Sequence, residues 1–181
     1  MTPIAPLFTG PLDIVGDVHG EAEALRGLLG QLGYDGDGTH PDDRRLVFVG
    51  DLCDRGPDSP AVIETVMDLV SRGLAQCVLG NHELNVLRGA EKAGNGWYFL
   101  EDHDRRRGRF VDCARASDQQ RDRFRDFFAT LPLALERPDL RVVHAAWHHE
   151  SLQSLGALDG ADGTEQLYRH YQEQTERYSK S

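Results

Sequence analysis

Leu46-Val47-Phe48-Val49-Gly50-Asp51-Leu52-Cys53-Asp54-Arg55-Gly56 is the stretch that decides how the rest of this sequence is read. The β-branched and aromatic run at its start has the composition of a buried strand. A glycine ends the run, and two carboxylates and a guanidinium follow within five residues. Two other stretches share this form. Leu12-Asp13-Ile14-Val15-Gly16 leads into Asp17-Val18-His19-Gly20, and Cys77-Val78-Leu79-Gly80 leads into Asn81-His82-Glu83. A fourth apolar run, Arg141-Val142-Val143, ends on His144. Open α/β sheets bind ligands just beyond the carboxyl ends of their strands. Polar side chains at four strand ends therefore predict one shared site, with Asp51 near its middle.

Between the strand ends the pattern turns helical. Leu25, Leu28, Leu29 and Leu32 form an apolar stripe over 21–32 that faces a sheet. Ser59 reads as an N-cap with Pro60 at the first helical position, and Arg72-Gly73 closes the helix that follows. A third helix starts at His82. This β-α-β-α-β order implies parallel strands with crossover helices. Further along, Phe124, Phe127, Phe128 and Leu131 mark an amphipathic helix over 118–131. Short strands are expected over 133–135 and 141–146. Asp162 with Glu165 resembles a capping box that opens a charged helix through about 176. Residues 1–10, with two prolines, read as loop, as does the Gly- and Asp-rich stretch 33–45. Trp97 and Tyr98 are read as packing, and Arg105-Arg106-Arg107-Gly108-Arg109 as a solvated face. With no repeat or linker, residues 1–181 are expected to form a single domain.

At 181 residues the chain can bury one substantial core. A formal charge of −10 argues against nucleic-acid or anionic-membrane binding, so an anionic substrate needs a locally positive site. Cys53, Cys77 and Cys113 lack zinc or disulfide spacing, which fits reduced thiols and a cytoplasmic location. No apolar run is long enough to span a bilayer, and the N-terminus lacks the pattern of a signal peptide.

Each short motif alone has a plain structural reading. Asp17 and Gly20 could punctuate a turn, Asp54, Gly56 and Pro57 could be loop, and Asn81 is a good N-cap. Chance does not easily place oxygen and imidazole ligands at four strand ends, three of them preceded by glycine. Carboxylate, amide oxygen and imidazole suit manganese, iron or zinc. Asp17 and His19 can share one ion, Asp51 can bridge with two oxygens, and Asn81 with His144 can hold a second. Two dications would make the pocket positive within an acidic chain.

Gly16-Asp17-Val18-His19-Gly20, Gly50-Asp51-Leu52-Cys53-Asp54-Arg55-Gly56 and Gly80-Asn81-His82-Glu83 resemble the three signature motifs of calcineurin-like metallophosphoesterases, in their phosphoprotein phosphatase branch. Val143-His144-Ala145-Ala146 resembles the fourth, and the likeness spans residues 12–147. It implies a four-layer α/β/β/α sandwich and two divalent ions, with manganese expected and iron or zinc as alternatives. It also implies hydrolysis of phosphate monoesters by direct attack of a metal-bridging hydroxide, with no phosphoenzyme. Asp17 and His19 would hold the first metal, Asp51 would bridge, and Asn81 and His144 would hold the second. His82 would be the general acid, Asp54 would hold it, and Arg55, with Asn81 and His82, would contact the substrate phosphate.

The likeness leads to a phosphorylated protein or small molecule as partner, with phosphoseryl or phosphothreonyl protein as one candidate. A diadenosine polyphosphate hydrolase is the alternative, since Leu52, Arg55, Gly56 and Pro57 also resemble that branch. A catalytically weak phosphate-binding regulatory module is the reading outside the enzyme class. The family carries a later histidine on the second metal and a second phosphate-binding arginine. No motif here anchors either. Arg169, His148, His149 and His170 are read as surface residues. The sandwich is accordingly expected to be incomplete at its C-terminus or the chain to be a fragment. An open sheet edge would then favour a homo-oligomer.

Overall fold

The structure, a computed structural model, describes residues 3–99 and 112–148. The expected helix 162–176, the arginines of 105–109, and His149, Arg169 and His170 lie outside the described residues.

Three strands form the first sheet. These are β2 (Leu12–Val15), β3 (Arg45–Phe48) and β4 (Ala75–Cys77), all parallel, with β3 in the middle. Helices α1 (Ala22–Leu32) and α2 (Ser59–Ser71) make the crossovers. The β-α-β-α-β reading therefore holds. Side chains alternate across β3 as a sheet buried on both faces requires. Leu46 and Phe48 pack with Val62, Ile63 and Val66 of α2, whereas Val47 faces the second sheet.

That second sheet contains a strand absent from the sequence reading. Residues 1–10 are not all loop. Ile4–Pro6 form β1, which pairs in parallel with β5 (Ala134–Arg137), and β5 pairs antiparallel with β6 (Leu140–Val143). The sheets meet through Leu7, Val47, Val78, Leu135 and Val142. Gln76 fastens the join. Its amide donates to the Pro6 carbonyl at 2.8 Å and accepts from the Phe8 N–H at 2.9 Å. The result is an α/β two-sheet sandwich, as the family likeness implies, with α1 and α2 on the outer face of the β2-β3-β4 sheet.

Two helical details differ from expectation. Asp58 is the N-cap of α2, its side chain accepting from the Ala61 N–H at 3.0 Å, and Ser59 is already helical. On α1 only Leu25 is fully buried, while Leu28 and Leu32 are 39% and 36% exposed. The helix rests on the sheet along one edge of its stripe. Beyond β4 come α3 (Asn81–Leu87), the single turn α4 (Gly96–Phe99) and α5 (Asp118–Thr130). Ser117 and Gln120 cap α5 reciprocally, and Phe124 and Phe128 bury its apolar face.

Candidate metal centre

All four motif loops converge at the carboxyl ends of β2, β3, β4 and β6. The strands responsible come from both sheets, and the ring of His144 joins them, its Nδ1–H donating to the Val49 carbonyl at 2.8 Å. The first two loops are joined through their backbones. The Val18 and His19 N–H groups donate to the Asp51 carbonyl at 3.0 and 2.9 Å, and Gly20 N–H donates to Leu52. Contact is so close at Gly56 that a Cβ there would lie 2.0 Å from the His19 carbonyl oxygen. Only glycine fits.

His19, Asp51, Asp54 and Arg55 all adopt left-handed backbone, with φ of 47°, 50°, 71° and 68°. Such conformations are costly for residues with a Cβ and cluster where a site dictates them. At Asp51 the fixing group is Glu83. This fully buried carboxylate accepts from the Asp51 and Gly80 N–H groups through one oxygen, at 2.9 and 3.0 Å. Its other oxygen accepts from the Leu52 N–H at 2.8 Å and from the Cys53 thiol at 3.3 Å. Burial, and the Asp51 charge nearby, raise its pKa, and the backbone donors oppose that shift. Glu83 ties the second motif to the third. It appears in the sequence as a motif residue without a role.

Hydrogen-bond partners settle the imidazole tautomers. His19 donates Nδ1–H to the Cys53 carbonyl at 3.0 Å, and His82 donates Nδ1–H to Asp54 at 2.6 Å. The Arg55 guanidinium donates to Nε2 of both rings, at 3.0 and 3.1 Å. All three histidines thus turn Nε2 towards the site, with Nδ1 anchored outside it, as outer partners do around a metal.

The 4%-exposed Asp51 stands between two groups of donors. Its Oδ2 lies 3.8 Å from Nε2 of both His19 and His82, and its Oδ1 lies 3.4 Å from Nε2 of His144. His19, Asp51 and His82 form one cluster of ligand atoms, and Asp17, Asp51 and His144 a second, each within 4.8 Å. Asn81 Oδ1 faces Nε2 of His144 at 2.9 Å. With the His144 proton on Nδ1, both facing atoms offer lone pairs, an arrangement that suits a cation shared between them. The donor set is mixed oxygen and nitrogen, which fits a divalent transition metal. The expected metal residues Asp17, His19, Asp51, Asn81 and His144 lie together, but their grouping differs from the expected one: Asp17 clusters with His144, and His19 with His82, whereas the sequence pairs Asp17 with His19. His148 is described but belongs to neither cluster.

Behind His82 lies a chain that the sequence reading missed. Asp54 is fully buried, and its other oxygen accepts the indole N–H of Trp97 at 2.6 Å. Trp97 was expected only to pack. Its position 43 residues along the chain gives no spacing signal for the contact. The Asp54 hydrogen bond, opposed by burial, raises the pKa of His82 above its ordinary value.

Two ligand clusters sharing one buried carboxylate, set at the strand ends of an α/β two-sheet sandwich, define a binuclear metal-dependent phosphoesterase site. The family model of the calcineurin-like phosphoesterases matches residues 10–177. The chain belongs to that family. Among individual proteins, it is 51% identical over 74 residues to the asymmetrical bis(5'-nucleosyl)-tetraphosphatase PrpE of Oceanobacillus iheyensis. The PrpE of Geobacillus thermodenitrificans is 50% identical over 74 residues. Each match covers 39% of this chain and 30% of the relative's length. A putative diadenosine tetraphosphatase superposes with a TM-score of 0.52 at 28% identity, over 79% of this chain and 53% of its own. A cold-active protein-tyrosine phosphatase from a psychrophilic Shewanella reaches a TM-score of 0.57 at 20% identity, over 83% and 47%, a likeness of fold alone.

Proposed function

We propose that this chain hydrolyses bis(5'-nucleosyl) polyphosphates at its binuclear site. The observation that carries the reading is the identity of about one half, over 74 residues, to proteins named as asymmetrical bis(5'-nucleosyl)-tetraphosphatases. We assign Asp17, His19 and Asp51 to one divalent ion and Asp51, Asn81 and His144 to the other, with manganese as the metal. When bound, such ions neutralise phosphoryl charge and make water a nucleophile near neutral pH. Arg55, exposed at the mouth and already within 3.1 Å of two imidazoles, binds phosphoryl oxygens through its planar fork, beside Asn81 and His82. Once Arg55 turns from its Nε2 to the phosphoryl oxygens, His82 as imidazolium holds a proton there for the leaving oxygen, and Asp54 fixes the ring and stabilises its charge. We also expect a cytoplasmic location, since the sequence spacing of Cys53, Cys77 and Cys113 suits reduced thiols.

The Asp54–His82 pair favours a second reading. A nucleotide leaving group needs little protonation, whereas a serine or threonine alkoxide needs an acid. A built acid pair therefore also supports phosphomonoester hydrolysis, including phosphoseryl protein, as in the phosphoprotein phosphatase branch. A manganese-supplemented panel of diadenosine tetraphosphate, a phosphoseryl peptide and p-nitrophenyl phosphate separates the two. Faster turnover of the dinucleotide, with unequal nucleotide products, is expected. Turnover of the peptide with an inert dinucleotide would replace the first reading by the second.

A further inference from the structure

Asp54 is held from both sides. One oxygen accepts from His82 and the other from Trp97, each at 2.6 Å, and its own N–H donates to the Ser59 hydroxyl at 2.9 Å. A carboxylate's terminal torsion is broad and roughly two-fold, so one hydrogen bond alone orients it poorly. The second bond comes from a side chain that is itself packed on every side. Trp97 is fully buried, with its ring 5.4 Å from that of Tyr98 and 6.2 Å from that of Phe124 on α5. Its backbone carbonyl accepts from the Ala116 N–H at 2.9 Å. The same short segment grips the next residue as well. Gly94 accepts from the Arg55 N–H at 3.1 Å, and a Cβ at Gly94 would lie 3.1 Å from that nitrogen. Asp54 and Arg55 are consecutive left-handed residues. Packing alone would not require the indole nitrogen to point at the buried carboxylate that holds His82.

We infer that Trp97 is a positioning residue for proton transfer, its indole N–H locking the Asp54 carboxylate in the orientation that presents His82 to the leaving group. This rests on His82 acting as the acid in the reading above. Removing the N–H while keeping the ring leaves Asp54 free to turn, and the imidazole loses its fixed orientation. The loss falls on the protonation step and leaves the metal ligands in place.

The test compares the metal-loaded full chain with Trp97→Phe, Asp54→Asn and the double variant. Trp97→Phe should lower kcat about tenfold on alkyl phosphates, a part of the usual acid–base contribution. The loss should be smaller on p-nitrophenyl phosphate, with KM and metal content unchanged. In the Asp54→Asn background it should cost nothing further, because the two residues act through one contact. Additive losses, or equal losses on both substrates, overturn the inference. A second measurement needs no turnover. The Nδ1 proton of His82, identified by its disappearance in His82→Ala, should resonate far downfield and move upfield in Trp97→Phe; no movement overturns the inference. Phe124→Leu, which loosens the packing but spares the N–H, should leave that resonance in place. If Trp97→Phe does not fold, the Trp97 indole proton of the parent protein, told from that of Trp147 by its persistence in Trp147→Phe, decides. It must shift in Asp54→Asn, and a fixed indole resonance overturns the inference. Absent turnover with an intact resonance response would instead defeat the proposed function.

Discussion

Asp51 holds a disfavoured backbone conformation while its two oxygens face different donor clusters, and both properties depend on neighbours. Asp51→Asn removes one of the shared anionic oxygens, so metal and activity should be lost together. Metal analysis finding two ions per chain in an active variant would contradict this. Glu83→Gln turns one carboxylate oxygen into an amide donor opposite groups that already donate. About 1–3 kcal/mol of stability should be lost, measurable by urea unfolding. The motif containing Glu83 is plain in the sequence, but its partners are backbone N–H groups 31 and 32 residues away, which no periodicity encodes. Asp13 offers a pH test away from the metals. Hydrogen bonds from Arg44 hold its carboxyl below the ordinary value, and Tyr34 adds another at 2.9 Å. A lowered pKa contributes stability that is complete above the ordinary carboxylate value and disappears as pH falls through the folded one. The stability difference between parent and Asp13→Asn should therefore be constant near neutrality and shrink below about pH 4. An unchanged difference in acid would refute that pairing.

Secondary structure was legible wherever a segment carried its own signal. The strands of the first sheet end at glycine-led motifs, and α5 shows its apolar face together with its cap. β1 gave no such signal. It has three residues, two prolines lie in or beside it, and its partner begins at Ala134. The N-cap of α2 was misplaced by one position because Asp58 and Ser59 are both good caps. Their substitution should separate the two roles. Asp58→Ala should cost about 1 kcal/mol in thermal or urea unfolding with kcat retained. Ser59→Ala leaves the buried Asp54 N–H without its acceptor and should lower kcat. Equal effects on stability and rate in both variants would show that the one-residue distinction is unimportant.

At the scale of the molecule, the sequence pattern places the strand ends along one sheet's edge, whereas His144 arrives from the other sheet. The likeness to a two-sheet family supplied that arrangement; the local pattern did not, because hydrophobic alternation shows which face is buried and not which sheet covers it. In the proposed assignment the two ion sites differ in charge: one takes the Asp17 and Asp51 carboxylates with His19, the other Asp51 with the neutral Asn81 amide and His144. Unequal affinities should follow, with the second ion released first on dialysis and activity falling with it. Two equally tight sites by calorimetry would count against this assignment.

The parallel pairing of β1 with β5 has a consequence in time. The β2-β3-β4 sheet closes entirely within residues 12–77, whereas the other must join Ile4 to Ala134. Contacts so distant along the chain form slowly, because a long loop must close first. During synthesis the first three motifs can assemble while β1 waits for its partner to emerge from the ribosome. His144 would then be the last ligand delivered, and the metal centre would mature only when the beginning and the far end of the sandwich meet. Pulse-labelling hydrogen exchange during refolding should find the amides of β3 protected before those of β5.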